Sequence, residues 1–322
     1  MPLISIITPV HNGEPYLSQC IESVLAQSYH NWEFIIVNNQ STDRTLEIAQ
    51  SYQQEESRIT IINTSELLSA LENHNFAVKQ MSADSQYCKI LHADDWLYPE
   101  CLAEMVTLAI SKASIGVVGA YSMAGKTMRC RGLNKDLKII TGIEVGRLSL
   151  LGEFYPFFSP SSTLLRADLI RNRPFFYNPE KLHADVELMY EILPGCDFGF
   201  VHQVLTGIRI HEDSETSKSA KPLNTILWSN FDLFIRFAHD FLDKNEFDTR
   251  LKALIVKYYE FLANGFWEGR DKTFWQYHRK GLSLSGQPLN HSKLFFAIIS
   301  VLLFQPKPTI KKLIKRFGFF RN

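Results

Sequence analysis

Cysteine is scarce in this sequence and never paired at a useful spacing. The five present (Cys20, Cys88, Cys101, Cys130 and Cys196) are odd in number and scattered, with no C-x-x-C. They read as reduced thiols of a cytosolic protein rather than as a disulfide frame or a zinc site. Neither sign of charge is in excess, with 34 Lys+Arg against 34 Asp+Glu. There is thus no basic field to hold nucleic acid and no acidic bias towards disorder. Glycine is missing where a phosphate cradle would need it. Neither G-x-G-x-x-G nor G-x-x-x-x-G-K-[ST] occurs, and the loop after the first strand holds Gly13 alone. That excludes the dinucleotide fingerprint and the P-loop. The apolar run Leu294 to Phe304, broken only by Ser300, is shorter than the roughly 20 residues that a bilayer-spanning helix needs. No charged leader precedes the strand pattern that begins at residue 3, so a cytoplasmic location is expected.

What is present is an alternation. Leu3–Thr8 (LISIIT), Trp32–Val37 (WEFIIV), Arg58–Asn63 (RITIIN), Tyr87–Leu91 and Ile115–Tyr121 (IGVVGAY) are short β-branched runs that read as buried strands. Between them, Glu14–Gln27 carries Leu17, Cys20, Ile21, Val24 and Leu25 at helical spacing, and Leu67–Met81 is helical. Ser41 or Thr42 is placed to cap the helix after NNQSTD. Strands alternating with helices of this length predict βαβ units and a mostly parallel, Rossmann-like α/β sheet flanked by helices. The expected organisation is an α/β domain over 1–215, a helical C-terminal extension over 216–290 and a tail over 291–322. In the extension Phe231, Leu233, Phe234 and Phe237 read as core. The tail is apolar and then basic, with Lys307, Lys311, Lys312, Lys315, Arg316 and Arg321 and no acid among them. Such a tail suits a peripheral helix over 292–322 on an anionic inner membrane face. A helix closing the core and a dimer contact are the alternatives.

The chemistry gathers in YCKILHADDWLYPE, Tyr87 to Glu100, a strand that stops at Asp94 and Asp95 with Pro99 beyond. An open α/β sheet keeps its ligand at the carboxyl ends of its strands. Two adjacent ionised aspartates there repel each other, which predicts a divalent cation carrying a nucleotide diphosphate. The competing reading is a helix cap. YPFFSPSST, Tyr155 to Thr163, offers aromatics and hydroxyls for a sugar or nucleoside pocket, or simply a packed loop. Asp185 opens the helical segment 181–193, either as a cap or as a carboxylate that takes a proton from a hydroxyl. Phe198 to Ile210 reads as strands carrying Arg209, and His211 follows.

ISIITPVHNGEPYLSQCIESVLAQSYHNWEFIIVNNQSTDRT, NHNFAVKQM, KILHADDWLYP, the Asp185 helix and GIRIH occur in that order over about residues 3 to 212. Together they resemble the family 2 glycosyltransferases, inverting enzymes with the GT-A fold. The resemblance implies a metal-dependent transfer of a sugar from a UDP- or dTDP-sugar to an acceptor hydroxyl. The acceptor would be a saccharide or lipid-linked saccharide in cell-surface polysaccharide or glycolipid assembly. It implies that Thr8, Pro9 and His11 cup the nucleobase and ribose, that Asp94 holds ribose, and that Asp95 ligates Mg²⁺ or Mn²⁺. Asp185 would be the general base. Asn75 and His92 would belong to the nucleotide-sugar site, Arg209 to the diphosphate and His211 to the metal. Three departures stand out. Asn38, Asn39 and Gln40 replace Asp-Asp-Gly, leaving amides to hydrogen-bond the base. His92 replaces an aspartate, and Ala184 a glutamate. A nucleotidyltransferase of related fold and a non-catalytic nucleotide-binding protein are the competing readings.

Overall fold

The computed structural model of the protein describes residues 1–181, 183–211 and 223–304. The chain divides after His211 into two compact units.

The first unit is built on one ten-stranded sheet. Ile4–Val10 (β1), Trp32–Asn38 (β2), Ile59–Asn63 (β3) and Tyr87–Ile90 (β4) lie parallel in the order β3-β2-β1-β4. Every residue of β1 is buried. A strand covered on both faces has no solvent side to alternate with, which is why LISIIT reads as a continuous apolar run. Leu17–Leu25 (α1), Thr45–Glu55 (α2) and Ala70–Val78 (α3) connect these strands. α1 buries Leu17, Cys20, Ile21 and Val24 against Ile4, Ile6, Phe34 and Ile36 in the main core. Because β2 and β4 flank β1 on opposite sides, the strand order reverses there, and a crevice opens at such a reversal. Thr8 lies at its floor, fully buried, its Oγ1 donating to the Leu91 carbonyl at 2.6 Å.

Beyond β4 the sheet becomes mixed. Trp96–Leu97 (β5), Ile115–Ala124 (β6), Thr127–Arg129 (β7), Ile139–Thr141 (β8), Thr163–Arg166 (β9) and Asp197–Ile208 (β10) complete it. β9 runs antiparallel to β4 and β6, while β10 runs parallel to β6 and antiparallel to β5 and β8. β10 is one bulged strand where several were expected. It carries Gly207 because the Trp96 indole lies so close that a Cβ there would fall 2.0 Å from the ring.

Two local expectations fail. α2 is not capped by Ser41 or Thr42. Its first turn is held by Asp43, whose Oδ1 accepts from the Thr45 backbone N–H at 3.0 Å, and Ser41 instead accepts from the Asn12 N–H. Nor do Asp94 and Asp95 cap a helix. β5 intervenes, and Cys101–Ile110 (α4) takes Glu100 as its cap residue. Gly142–Leu151 (α5), Asp168–Arg171 (α6) and Ala184–Ile192 (α7) are the remaining helices described in this unit.

The second unit comprises Thr225–Phe241 (α8), Lys244–Glu268 (α9), Lys272–Leu284 (α10) and His291–Phe304 (α11). Phe231, Tyr258, Leu262, Phe274 and Leu282 form its core. Leu233 and Phe234 are buried as read from sequence, while Phe237 is half-buried beneath the Arg236 guanidinium. The expected tail thus begins as a helix of this unit. α11 joins α9 through the Trp267 indole, which donates to the Ile298 carbonyl at 3.2 Å. Its outer face exposes Phe295, Phe296, Leu303 and Phe304. Lys307 to Arg321 lie outside the described residues. No described helix is long and apolar enough to cross a membrane.

Candidate active site

Asp94 and Asp95 sit in a tight turn after β4, closed by the Asp95 N–H donating to the His92 carbonyl at 3.0 Å. Asp95 is 3% exposed. Its Oδ1 accepts from the Arg209 backbone N–H at 3.1 Å. Its Oδ2 is buried with no hydrogen-bond partner among the described residues, and His92 Nδ1 stands 3.9 Å away, beyond hydrogen-bond reach. Burial pushes the Asp95 carboxyl up to about 6; His92, the nearby Ser161 hydroxyl and the Arg209 N–H oppose the shift, and Asp94 adds to it. Native proteins seldom leave such an oxygen without a partner, so it calls for one.

Arg209 and His211 arrive from the end of β10. The Arg209 Nε donates to the Asp94 carbonyl at 3.1 Å, its guanidinium reaches Gln19, and it lies 4.7 Å from the Tyr16 ring and 5.4 Å from the Trp96 ring. His211 Nε2 is 2.8 Å from Asp94 Oδ2, with its ring 4.9 Å from Tyr16. Here the expected roles are redistributed. The groups whose ligand atoms converge within 4.8 Å are His92, Asp94 and Asp95. His211, expected among the ligands, lies against Asp94. His92 and Asp94, expected at the nucleoside, face the orphaned oxygen. Two carboxylates and an imidazole form a donor set that fits a divalent cation such as Mg²⁺ or Mn²⁺.

On the other side of the crevice the sequence-read contacts divide. Thr8 and Pro9 are buried, so only His11 presents an exposed ring, steadied by Nδ1 against the Asn39 carbonyl at 2.7 Å. The three asparagines expected at the nucleotide have their amides committed inside the protein. Asn38 pairs with Asn63 at 2.8 Å and accepts from the Ser41 N–H. Asn39 donates to the Leu68 carbonyl and accepts from the Leu68 N–H, both at 2.9 Å. Asn75 exchanges two bonds of 2.7 Å with the backbone of Tyr177. Each is 9% exposed or less. Their side chains hold loops in place through these bonds. Asn12 and Gln40 adopt left-handed backbone, with φ of 52° and 51°, a sparsely populated conformation found at functional loops.

Asp185 lies in the first turn of α7, but it is not the cap. That position belongs to His183, itself left-handed at φ 62°. Burial raises the Asp185 carboxyl above its ordinary range, against the opposing pull of His183 and His92. His92 therefore stands within charge range of both Asp185 and Asp95. The Tyr155 and Tyr177 phenols are also within charge range of Asp185.

Several residues that sequence reasoning passed over complete the site. Ser161 Oγ accepts from the His92 N–H at 3.1 Å. The Ser161 carbonyl takes the buried Lys89 ammonium at 2.7 Å and the Thr206 hydroxyl at 3.0 Å. Ser159, Ser161, Ser162 and Thr163 are all buried, so the hydroxyl-rich run holds its own loop together instead of lining a sugar pocket. His74 places Nδ1 2.7 Å from the Ala70 carbonyl and Nε2 3.3 Å from His92 Nε2. Its signal in the sequence is the motif NHNFAVKQM, in which it directly precedes Asn75.

A profile of Glycosyl transferase family 2 matches residues 5–173. An uncharacterised glycosyltransferase of Rickettsia typhi is 28% identical over 234 residues, 71% of this chain and 71% of the relative. The putative teichuronic acid biosynthesis glycosyltransferase TuaG of Bacillus subtilis is 32% identical over 122 residues, 38% of this chain and 48% of the relative. Among solved structures, S. aureus TarS (residues 1–349) in complex with UDP-GlcNAc matches with a TM-score of 0.67 and 16% identity, over 98% of this chain and 89% of that one. A mannosyltransferase from Pyrobaculum calidifontis in complex with GDP-Man and Mn²⁺ matches with a TM-score of 0.58 and 15% identity, over 96% of this chain and 82% of that one. The fold is thus the GT-A arrangement expected from the sequence, and the nucleotidyltransferase reading falls away. Strand order, the acid turn after β4 and the family profile agree that this chain is a glycosyltransferase of family 2.

Proposed function

We propose that the protein is an inverting, divalent-metal-dependent glycosyltransferase that moves a sugar from a UDP- or dTDP-sugar to an acceptor hydroxyl. The carrying observation is the buried, unpartnered Oδ2 of Asp95 beside Asp94 and His92, with Asp185 within charge range of the same imidazole. Asp95, Asp94 and His92 would hold a Mg²⁺ or Mn²⁺ ion, which would supply Lewis-acid stabilisation of the departing diphosphate. The chain's own groups do the rest. Asp185, its proton affinity raised by burial, takes the proton of the acceptor hydroxyl as its oxygen bonds to the anomeric carbon. The bond from that carbon to the diphosphate oxygen breaks, and its electron pair leaves with the diphosphate. One displacement inverts the carbon. Arg209 fixes the acid turn through two hydrogen bonds, from its N–H to Asp95 Oδ1 and from its Nε to the Asp94 carbonyl, and adds positive charge at the crevice.

The complexes of TarS with UDP-GlcNAc and of the mannosyltransferase with GDP-Man and Mn²⁺ support a nucleotide-sugar donor. The relatives TuaG and EpsE of Bacillus subtilis, the first named for teichuronic acid biosynthesis, support an acceptor in cell-surface polysaccharide assembly. The test is Asp185→Asn with Mn²⁺ and a panel of nucleotide-sugars. Nucleotide affinity should survive while turnover falls at least ~100-fold. Unchanged turnover would remove Asp185 from the mechanism.

The exposed apolar face of α11, followed in sequence by six basic residues and no acid, supports contact with the cytoplasmic face of an anionic membrane. Ending the chain after residue 291 should abolish pelleting with vesicles of anionic lipid at low salt. If the full chain does not pellet with them, that contact is wrong.

A further inference from the structure

His74 meets the imidazole that stands 3.9 Å from Asp95 and within charge range of Asp185. We propose that His74 is a positioning residue that fixes the tautomer of His92, so that His92 presents a bare Nδ1 to the divalent cation. The inference rests on the metal reading above. It begins from the 2.7 Å contact between His74 Nδ1 and the Ala70 carbonyl. A carbonyl can only accept, so Nδ1 carries the hydrogen, and the neutral ring keeps its lone pair at Nε2.

That lone pair lies 3.3 Å from His92 Nε2. Only one hydrogen fits between the two nitrogens, and it must belong to His92. The His92 lone pair is thereby assigned to Nδ1, the atom 3.9 Å from Asp95 Oδ2. Two acceptors then face one another with no donor between them, and Oδ2 is already without a partner among the described residues. The separation is too long for a hydrogen bond, and a divalent cation is the kind of group that would satisfy both lone pairs.

The surroundings hold this arrangement. The two rings meet edge to face at 85°, with centroids 5.4 Å apart. The Tyr177 ring, itself tied to Asn75, flanks His74 at 5.3 Å. The His92 backbone is anchored by Ser161 Oγ at 3.1 Å. Outer partners of this kind set the orientation and basicity of a ligating imidazole, and their loss costs about 10–100-fold in metal affinity.

The experiment titrates the full chain with MnCl₂ and follows bound Mn²⁺ by electron paramagnetic resonance, with no donor or acceptor present. In the unaltered protein the bound ion should show nitrogen coupling, and His92→Asp should abolish it while keeping the ion. His74→Phe should weaken Mn²⁺ affinity about 10–100-fold with its thermal unfolding in the absence of metal unchanged. His74→Gln, whose side-chain oxygen can still accept the His92 Nε2–H, should recover most of that loss. Mn²⁺ bound without nitrogen coupling, or bound equally well by His74→Phe, overturns the relay and leaves the metal reading standing. Should His74→Phe not fold, the nitrogen coupling and the His74→Gln affinity still decide. If the unaltered protein binds no Mn²⁺ even with UDP added, the metal reading fails and the relay with it.

Discussion

Asp95 imposes a measurable pH dependence on the metal-free protein. In an unfolded chain its carboxyl titrates at about 3.9; in the fold, burial pushes it up to about 6. Between those values the folded state keeps a proton that the unfolded state has released, so stability falls as pH rises through the window and stays low above it. About two pK units at about 1.4 kcal/mol each amount to ~3 kcal/mol. For a domain of this size that corresponds to roughly 6–12 °C in Tm. Asp95→Asn keeps the shape but cannot ionise. With a chelator present, the Tm of the variant should gain on that of the unaltered protein by this amount between pH 4 and 7. Whatever offset the new amide introduces will not vary with pH, so the widening gap is the signal. Mn²⁺ at pH 7 should then raise the Tm of the unaltered protein and leave the variant where it was. Parallel curves of Tm against pH for the two proteins would refute the argument, because an acid that titrates normally cannot separate them.

Other residues carry their own tests. Lys89→Ala removes the ammonium from the Ser161 and Thr163 carbonyls and leaves a cavity. It should cost about 3 kcal/mol or more, read as a lower denaturant midpoint at unchanged slope. Gly207→Ala places a methyl within 2.0 Å of the Trp96 ring. It should destabilise by about 1–3 kcal/mol and weaken nucleotide binding measured by calorimetry, because Trp96 shares the Arg209 guanidinium with Tyr16. The side chain of Arg58 holds Glu56 down to about 2. The stability this pair adds is present above the ordinary glutamate range and is lost as pH falls towards 2. Arg58→Ala should therefore flatten acid unfolding by ~1 kcal/mol, the pair being only partly buried.

The parallel half of the sheet was legible because each of its strands is a β-branched run between helices, a pattern that depends on local composition alone. The antiparallel insertions were less so. β5 is two residues long, and β9 gains its identity from β4 and β6 on either side of it. Asp94, Asp95 and Asp185 could be found because acids at strand and helix ends stand out. The amides could not be ranked the same way. Nothing local to Asn39 or Asn75 says that Leu68 or Tyr177 will saturate it, since the partners lie 29 and 102 residues away. The same holds for His74 and His92, eighteen residues apart and brought together by the packing of α3 on β1 and β2. Composition reveals which groups can do chemistry, and the fold decides which are already occupied.

The course of β10 bears on how this enzyme can be trimmed. Arg209 and His211, which cover the acid turn, are the final residues of the first unit. A stop codon after Ile208 would leave all ten strands encoded, and the shortened product should still fold. It would lack the guanidinium and the imidazole that sit over Asp94, so solubility alone would be a misleading guide to where the gene can be cut.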